Sequence, residues 1–242
     1  MNINQLSKRL MAVASRIPQQ AVIADIGSDH AYLPCYAVKK GLAVKAIAGE
    51  VAVGPLQAAR QQVKEAGLEE KIAVRKGSGL EVIAAGEVDC VTIAGMGGTL
   101  ITSILEEGKE KLPGVKRLIL QPNLRADHIR KWLLTNGWEL IEEEIMEEDG
   151  KIYEILIAEK GDAERPYSSQ KELELLTGPM LLQERSDAFL KKWKREAAQL
   201  EVVLENLKKA GNQKAAEEKR RSILQELQLI KEAIDSEENE RP

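Results

Sequence analysis

Apolar residues over the first 160 positions recur in short runs separated by helical patterns. Leu6, Leu10, Val13 and Ile17 stand at helical spacing before Pro18 stops the pattern, which predicts an amphipathic opening helix. Runs at about 21–27, 44–50, 71–76, 88–94 and 117–121 predict strands, with helices between them. Ile23, Ile26, Val91 and Ile93 lie in near-continuous apolar stretches, as strands buried on both faces require. Alternation at this spacing predicts a parallel sheet wrapped by helices on both sides.

The end of this region breaks the alternation. Residues 138–146 and 152–158 both read as strands and are joined through Glu148-Asp149-Gly150-Lys151, and Asp-Gly between strands is a strong hairpin signal. A doubly wound sheet that finishes in an antiparallel hairpin is the pattern of class I methyltransferases, whereas a nicotinamide dehydrogenase sheet ends in another parallel crossover. The expected fold is therefore α/β, a Rossmann-like methyltransferase sheet over 1–160.

From Gly161 onward Leu, Glu, Lys and Gln dominate and glycine nearly vanishes. Leu190, Trp193, Ala197, Leu200, Leu204 and Leu207 keep a three-four spacing, and Ala216, Arg220, Ile223, Leu227, Ile230 and Ile234 repeat it after Gly211-Asn212. That predicts an antiparallel coiled-coil hairpin within 161–242, with the tail from Asp235 frayed.

Composition narrows the partners. With 43% hydrophobic and 31% charged residues, 242 residues supply one substantial core and a polar appendage. No run approaches the roughly 20 apolar residues of a membrane span, and the N-terminus lacks a signal peptide's apolar core, so a cytoplasmic protein is expected; a monomer is a separate expectation. Cys35, Cys90, His30 and His128 cannot assemble a tetrahedral zinc site, so no metal is expected and both cysteines read as reduced and structural. A net charge of −4 argues mildly against a polyanionic partner. Against it stand the local clusters Lys191-Lys192-Trp193-Lys194-Arg195, Lys208-Lys209 and Lys219-Arg220-Arg221, although interleaved Glu also fits an ordinary solvated helix face.

Ligands of an open parallel sheet bind beyond the carboxyl ends of its strands, which singles out five loops. After the first strand, Asp25-Ile-Gly27-Ser-Asp29-His30-Ala-Tyr32 offers a tight turn at Gly27, but places Asp29 and Tyr32 where a dinucleotide site needs glycines. This suits a cationic amino-acid moiety better than a diphosphate. Asp29 also fits a helix N-cap, with the next helix beginning near it. Glu50 closes the second strand where such folds hold a ribose diol, and otherwise reads as a solvated loop residue. Ser78 and Gly79 follow the third strand, where an acidic adenine contact is common; Ser78 departs from that pattern. Ala94-Gly95-Met96-Gly97-Gly98 brings backbone close to a flat or bulky group or else makes a structural turn, and Gln121-Pro122-Asn123 ends the fifth strand as acceptor-pocket lining or as a turn.

Together, Asp-Ile-Gly-Ser-Asp-His-Ala-Tyr-Leu-Pro (25–34), Ile-Ala-Gly-Met-Gly-Gly (93–98) and Leu-Gln-Pro-Asn (120–123) closely resemble the bacterial tRNA (adenine-22-N1)-methyltransferase family. The resemblance spans the whole chain, a catalytic domain followed by a helical one. It implies S-adenosyl-L-methionine as cofactor, the tRNA D-arm region as partner, and methyl transfer to N1 of an extruded adenine. It makes Asp25, Gly27, Asp29, Tyr32, Glu50, Ser78, Gly79, Ala94, Gly95, Met96 and Gly97 cofactor residues. Asp29 becomes the candidate acceptor for the adenine amino group, or else the partner of the methionine amino group, while His30 and Asn123 are candidates to orient the base. Lys192, Lys194 and Arg195, with Arg125, Arg130 and Lys131 on the acceptor side, would grip phosphates. Competing readings are a protein or small-molecule methyltransferase with the coiled coil as a partner-binding arm, and a non-catalytic sensor or scaffold.

Overall fold

The computed structural model describes residues 2–209 and 214–235, which divide into two compact units, Met1–Pro166 and Tyr167–Pro242. The division falls beyond the expected 160/161 boundary, because Arg165 is still tied to Glu139 by an ion pair.

The first unit runs α1 (Lys8–Ser15), β1 (Ala21–Ile26), α2 (Tyr32–Lys39), β2 (Ala43–Glu50), α3 (Val53–Glu65), β3 (Ile72–Lys76), β4 (Cys90–Met96), α4 (Gly98–Glu107), β5 (Arg117–Pro122), α5 (Ala126–Thr135), β6 (Trp138–Glu148) and β7 (Lys151–Lys160). The crossover from β3 to β4 carries only a 3-10 turn at Gly79–Val82 in place of the expected helix. Gly77, Gly79 and Gly86 leave that short segment too little helix propensity to hold more.

One seven-stranded sheet results, in the order β3-β2-β1-β4-β5-β7-β6. The first five pair in parallel, and β7 inserts antiparallel between β5 and β6. Asp149 and Gly150 both take positive φ, 51° and 75°, which gives the β6–β7 turn the twist a two-residue hairpin needs. Strand order reverses between β1 and β4, so the ends of these two strands form the switch point.

Alternating side chains feed two cores. Leu118 and Leu120 of β5 pack with Ile101, Leu105, Ile129 and Leu133 of α4 and α5; Ile119 faces the opposite layer with Val13, Leu33 and Val63 of α1 to α3. Cys35 and Cys90 are fully buried free thiols in that second layer, and desolvation pushes them up to about 11 and about 12.

Two local devices place the site's flanks. The opening helix is shorter than its apolar pattern: Leu6 and Ile17 are buried just outside it, and Ser7 Oγ caps it by accepting from Leu10 N. The Glu148 carboxylate at the end of β6 accepts from Lys8 N at 2.6 Å and Arg9 N at 3.3 Å, pinning the helix N-terminus to the hairpin tip. Arg130 of α5 overturns an expectation: its side chain has no solvent exposure and pairs with Glu143 of β6 at 2.7 Å and Glu154 of β7 at 2.5 Å. A guanidinium sealed under the hairpin cannot reach a phosphate, so Arg130 ties helix to hairpin and is not an RNA ligand.

In the second unit α6 (Lys171–Thr177) and α7 (Pro179–Glu184) precede the long α8 (Asp187–Lys209) and α9 (Lys214–Asp235). Phe189, Trp193, Ala197 and Leu204 of α8 and Ile223, Leu227, Ile230 and Ala233 of α9 are buried. Arg220, expected in the seam, is exposed. Arg185, just before α8, donates to the carbonyls of Ala233 and Ile234 at the far end of α9, which fixes the hairpin sense. Gly211-Asn212 and the tail beyond Asp235 lie outside the described residues, as does the side chain of Ala216. No helix among the described residues is long and apolar enough to cross a membrane.

Candidate active site

A cavity of about 460 Å³ opens at the switch point. Its wall consists of the ends of β1, β2 and β4, the loop after β3, and single faces of α1 and α4.

β1 ends in Asp25, only 5% exposed, whose carboxylate accepts from Ser28 Oγ at 2.6 Å and from Thr92 Oγ1 of β4 at 2.7 Å. Burial outweighs these two bonds, and Glu50 adds repulsion, so the carboxyl is raised to about 6. The chain then turns through Gly27, Asp29 and Ala31, with φ of 71°, 52° and 53°. At Gly27 a side chain would also collide with the Met96 methyl, so the backbone is bare where it borders the cavity. The left-handed turn delays α2 to Tyr32, and this corrects the N-cap expectation for Asp29: a cap needs extended backbone, while Asp29 is left-handed and gives its N–H to Glu50. The Asp29 side chain is 67% exposed at the cavity wall, 3.6 Å from His30 Nε2. His30 stacks on Tyr32 with ring centroids 5.2 Å apart; Tyr32 lines the cavity, His30 does not.

Glu50 is 9% exposed and held from three sides. Oε1 accepts from Val51 N at 2.9 Å and Ala52 N at 3.1 Å, and Oε2 accepts from Asp29 N at 3.2 Å, which leaves Oε2 a spare lone pair. The carboxylate thus links the first two loops in one orientation. Ser78 and Gly79 border the far end, with Ser78 N donating to Glu81 Oε2 at 2.8 Å.

The β4 glycine run is knitted to the end of β5. Gly95 interrupts the β4–β5 register, its N–H donating to Gln121 Oε1 at 2.9 Å and its carbonyl accepting from Asn123 Nδ2 at 2.7 Å. Asn123 N donates to Met96 O and Gly98 N to Leu124 O. Ala94, Gly95 and Met96 line the cavity; Gly97 caps α4 behind them, and Asn123 stands outside the lining. At Gly98 a Cβ would run into the Arg125 carbonyl, so only glycine permits this approach.

Sequence patterns did not single out Arg9, Leu10, Leu100 or Ile104, which also line the cavity. Arg9 donates to Gln121 Oε1 and lies over the Tyr153 ring, 5.2 Å from its centroid. It is the only cation among the described lining residues, facing Asp25, Asp29 and Glu50, and forms no carboxylate ion pair among the described residues. Arg9 is the second residue of an ordinary amphipathic helix, whose N-terminus is held by Glu148, remote in sequence.

Of the remaining predicted cations, all but Lys192 are exposed. Arg125 holds Asp127 with two bonds of 2.9 Å and touches His128 Nε2 at 2.7 Å, and Lys131 shares Asp127 at 3.1 Å. Because Arg125 can only donate, His128 Nε2 accepts, so its proton sits on Nδ1 toward Thr99 Oγ1 at 3.0 Å. In the other unit Lys194 and Arg195 are exposed and Lys192 lies half-buried over the Trp193 ring at 4.2 Å.

Known proteins share this architecture. The Bacillus subtilis (strain 168) tRNA (adenine(22)-N(1))-methyltransferase is 50% identical over 236 residues, 97% of this chain and 99% of that protein. The crystal structure of the B. subtilis m1A22 tRNA methyltransferase TrmK superposes with a TM-score of 0.92, covering 96% of this chain and 100% of that one. Sp1610 of Streptococcus pneumoniae, solved with S-adenosyl-L-methionine, matches at 44% identity and TM-score 0.83, over 95% of this chain and 100% of that one. M. capricolum TrmK, solved with S-adenosyl-homocysteine, matches at 26% identity and 0.76, over 95% and 98%. The family profile itself spans residues 23–232, from the first strand of the cavity wall almost to the end of α9. The chain therefore belongs to the TrmK family of tRNA (adenine(22)-N(1))-methyltransferases.

Proposed function

We infer that the protein transfers a methyl group from S-adenosyl-L-methionine to N1 of adenine 22 in tRNA. The observation that carries this reading is the switch-point cavity, whose single cation and three carboxylates fit the cofactor's own charges within a fold that matches TrmK over nearly its whole length. Bound there, the cofactor supplies an electrophilic methyl group on a sulfonium. Glu50 offers Oε2 to the ribose diol. The bare backbone at Gly27 and Gly95 admits the chain of the cofactor. Asp25 provides negative charge for its ammonium group, and Arg9 pairs with its carboxylate. Ser78 and Gly79 border the adenine end.

The residues act by position more than by acid-base chemistry. The N1 lone pair attacks in line with the departing sulfur, so no strong base is required. Asp29, exposed at the mouth, accepts a hydrogen bond from the adenine N6 amino group, orienting N1 and favouring the positive charge the product acquires. Asn123 and His30 stand beside the mouth to steady the base. Arg125 and Lys131 on the catalytic unit, and Lys192, Lys194 and Arg195 on the helical unit, contact backbone phosphates of the D-arm region. The enzyme works as a cytoplasmic monomer.

Mass-spectrometric mapping of nucleosides in unmodified tRNA incubated with protein and cofactor tests this directly. One N1-methyladenosine at position 22 is expected, and none when guanine replaces that adenine. Cofactor binding without tRNA methylation would refute it.

A further inference from the structure

We propose that Leu124 is the wedge that enters the tRNA duplex as the target adenine leaves it. It is 63% exposed, more than any other large hydrophobic side chain among the described residues. Single exposed leucines are ordinary; this one is set apart by how its backbone is held. Asn123 N donates to Met96 O at 2.7 Å, Asn123 Nδ2 to Gly95 O at 2.7 Å, and Gly98 N to the carbonyl of Leu124 itself at 2.8 Å. The following residue, Arg125, is locked in a left-handed conformation at φ 61° with its guanidinium clamped on Asp127. An apolar tip is thus fixed on a turn bonded to Gly95 and Met96, which line the cavity, and to Gly98 behind them.

Its place decides the role. Leu124 does not line the cavity, whereas the equally apolar Leu100 does. A base seated inside would meet Leu100, while Leu124 stands outside the lining, beside Gly97; on this proposal the strand that gave up the base passes there. Cations flank it: Arg125 and Lys131 are exposed on the same turn and helix. Apolar wedges beside backbone-binding cations are how proteins hold an unstacked step open. N1 is on the pairing edge, so a paired adenine reacts only after extrusion, and the gap it leaves calls for a filler. This inference rests on the reading that the adenine enters the cavity.

The test compares wild type and Leu124→Ala on two tRNA transcripts, one intact and one with an abasic nucleotide opposite the target adenine. On intact tRNA the variant is expected to lose about tenfold in kcat/KM, the scale of a partly uncompensated unstacked step. On the abasic transcript the loss should vanish, since the base is already free, and Leu124→Met should keep wild-type activity on both. Cofactor affinity and melting temperature should not move, because the side chain is exposed and outside the cavity. Equal losses on the two transcripts, or none on either, would overturn the wedge while leaving the methyltransferase reading intact. Failure of the wild type to methylate position 22 in either transcript would overturn both.

Discussion

Lowering the pH from 7 to 5 should weaken cofactor binding about tenfold through Asp25 alone. Its carboxyl is raised from 3.8 to about 6, by burial first and, against two hydrogen bonds that lower it, by Glu50. The group is then about nine-tenths ionised at pH 7 and about one-tenth at pH 5, so a cofactor that requires the ionised form meets tenfold less competent protein. Binding of the cationic ammonium and sulfonium lowers the carboxyl again, and the proton leaves. Calorimetry at pH 6 in two buffers of different ionisation enthalpy should register about half a proton released per cofactor bound. Asp25→Asn should bind weakly at every pH and release no proton, which separates Asp25 from His30 and His128. A wild-type affinity flat between pH 5 and 7 would refute the reasoning.

The same shift acts on stability with a definite sign. A carboxyl raised on folding holds its proton more tightly in the native state, so its favourable contribution is complete below about pH 4 and disappears as pH rises toward 6. The rise from 3.8 to about 6 corresponds to about 3 kcal/mol for this fully buried group. The cofactor-free protein should accordingly melt lower at pH 7 than Asp25→Asn, and saturating cofactor should narrow that gap.

Other consequences are equally direct. Asp29→Ala should reduce kcat about a hundredfold with cofactor affinity unchanged; a loss of affinity instead would assign Asp29 to the methionine amino group. Arg130→Met leaves Glu143 and Glu154 buried without their partner and should cost about 3–5 kcal/mol by denaturant titration, whereas replacing all three with apolar residues should recover most of it. Joint replacement of Lys192, Lys194 and Arg195 by alanine should weaken tRNA binding and flatten its salt dependence by up to about 0.9 per lost phosphate contact; an unchanged slope would remove the helical unit from RNA binding.

Much of the catalytic unit was legible because its signals are local. A strand buried on both faces writes a continuous apolar run, and Asp149-Gly150 announces its turn by the positive φ both residues adopt. Strand ends converge at the switch point for any open parallel sheet, so the place of Asp25, Gly27, Glu50, Ser78 and Gly95 on the cavity wall is legible from strand positions alone. Helix limits were less legible. The apolar spacing from Leu6 to Ile17 marks burial, and burial continues past the point where Ser7 and Arg16 end the hydrogen bonding.

Charged residues show where local signals stop. Arg125 stands at the N-cap of α5 and Arg130 and Lys131 are neighbours within it; they look alike as sequence, yet Arg130 is sealed and the other two are exposed. The difference lies in Glu143 and Glu154, which reach Arg130 only because β7 inserts between β5 and β6 and brings both hairpin strands over the helix. Arg9 reverses the case: an ordinary surface-type arginine faces the cavity because Glu148, at the tip of the same hairpin, fixes the helix that carries it. One hairpin thus removes one guanidinium from solvent and holds the helix that carries another to the cavity. Separating these effects requires moving the hairpin tip alone: Glu148→Gln should loosen α1 and weaken cofactor binding while the Arg130 cluster, and the melting temperature it supports, stay in place.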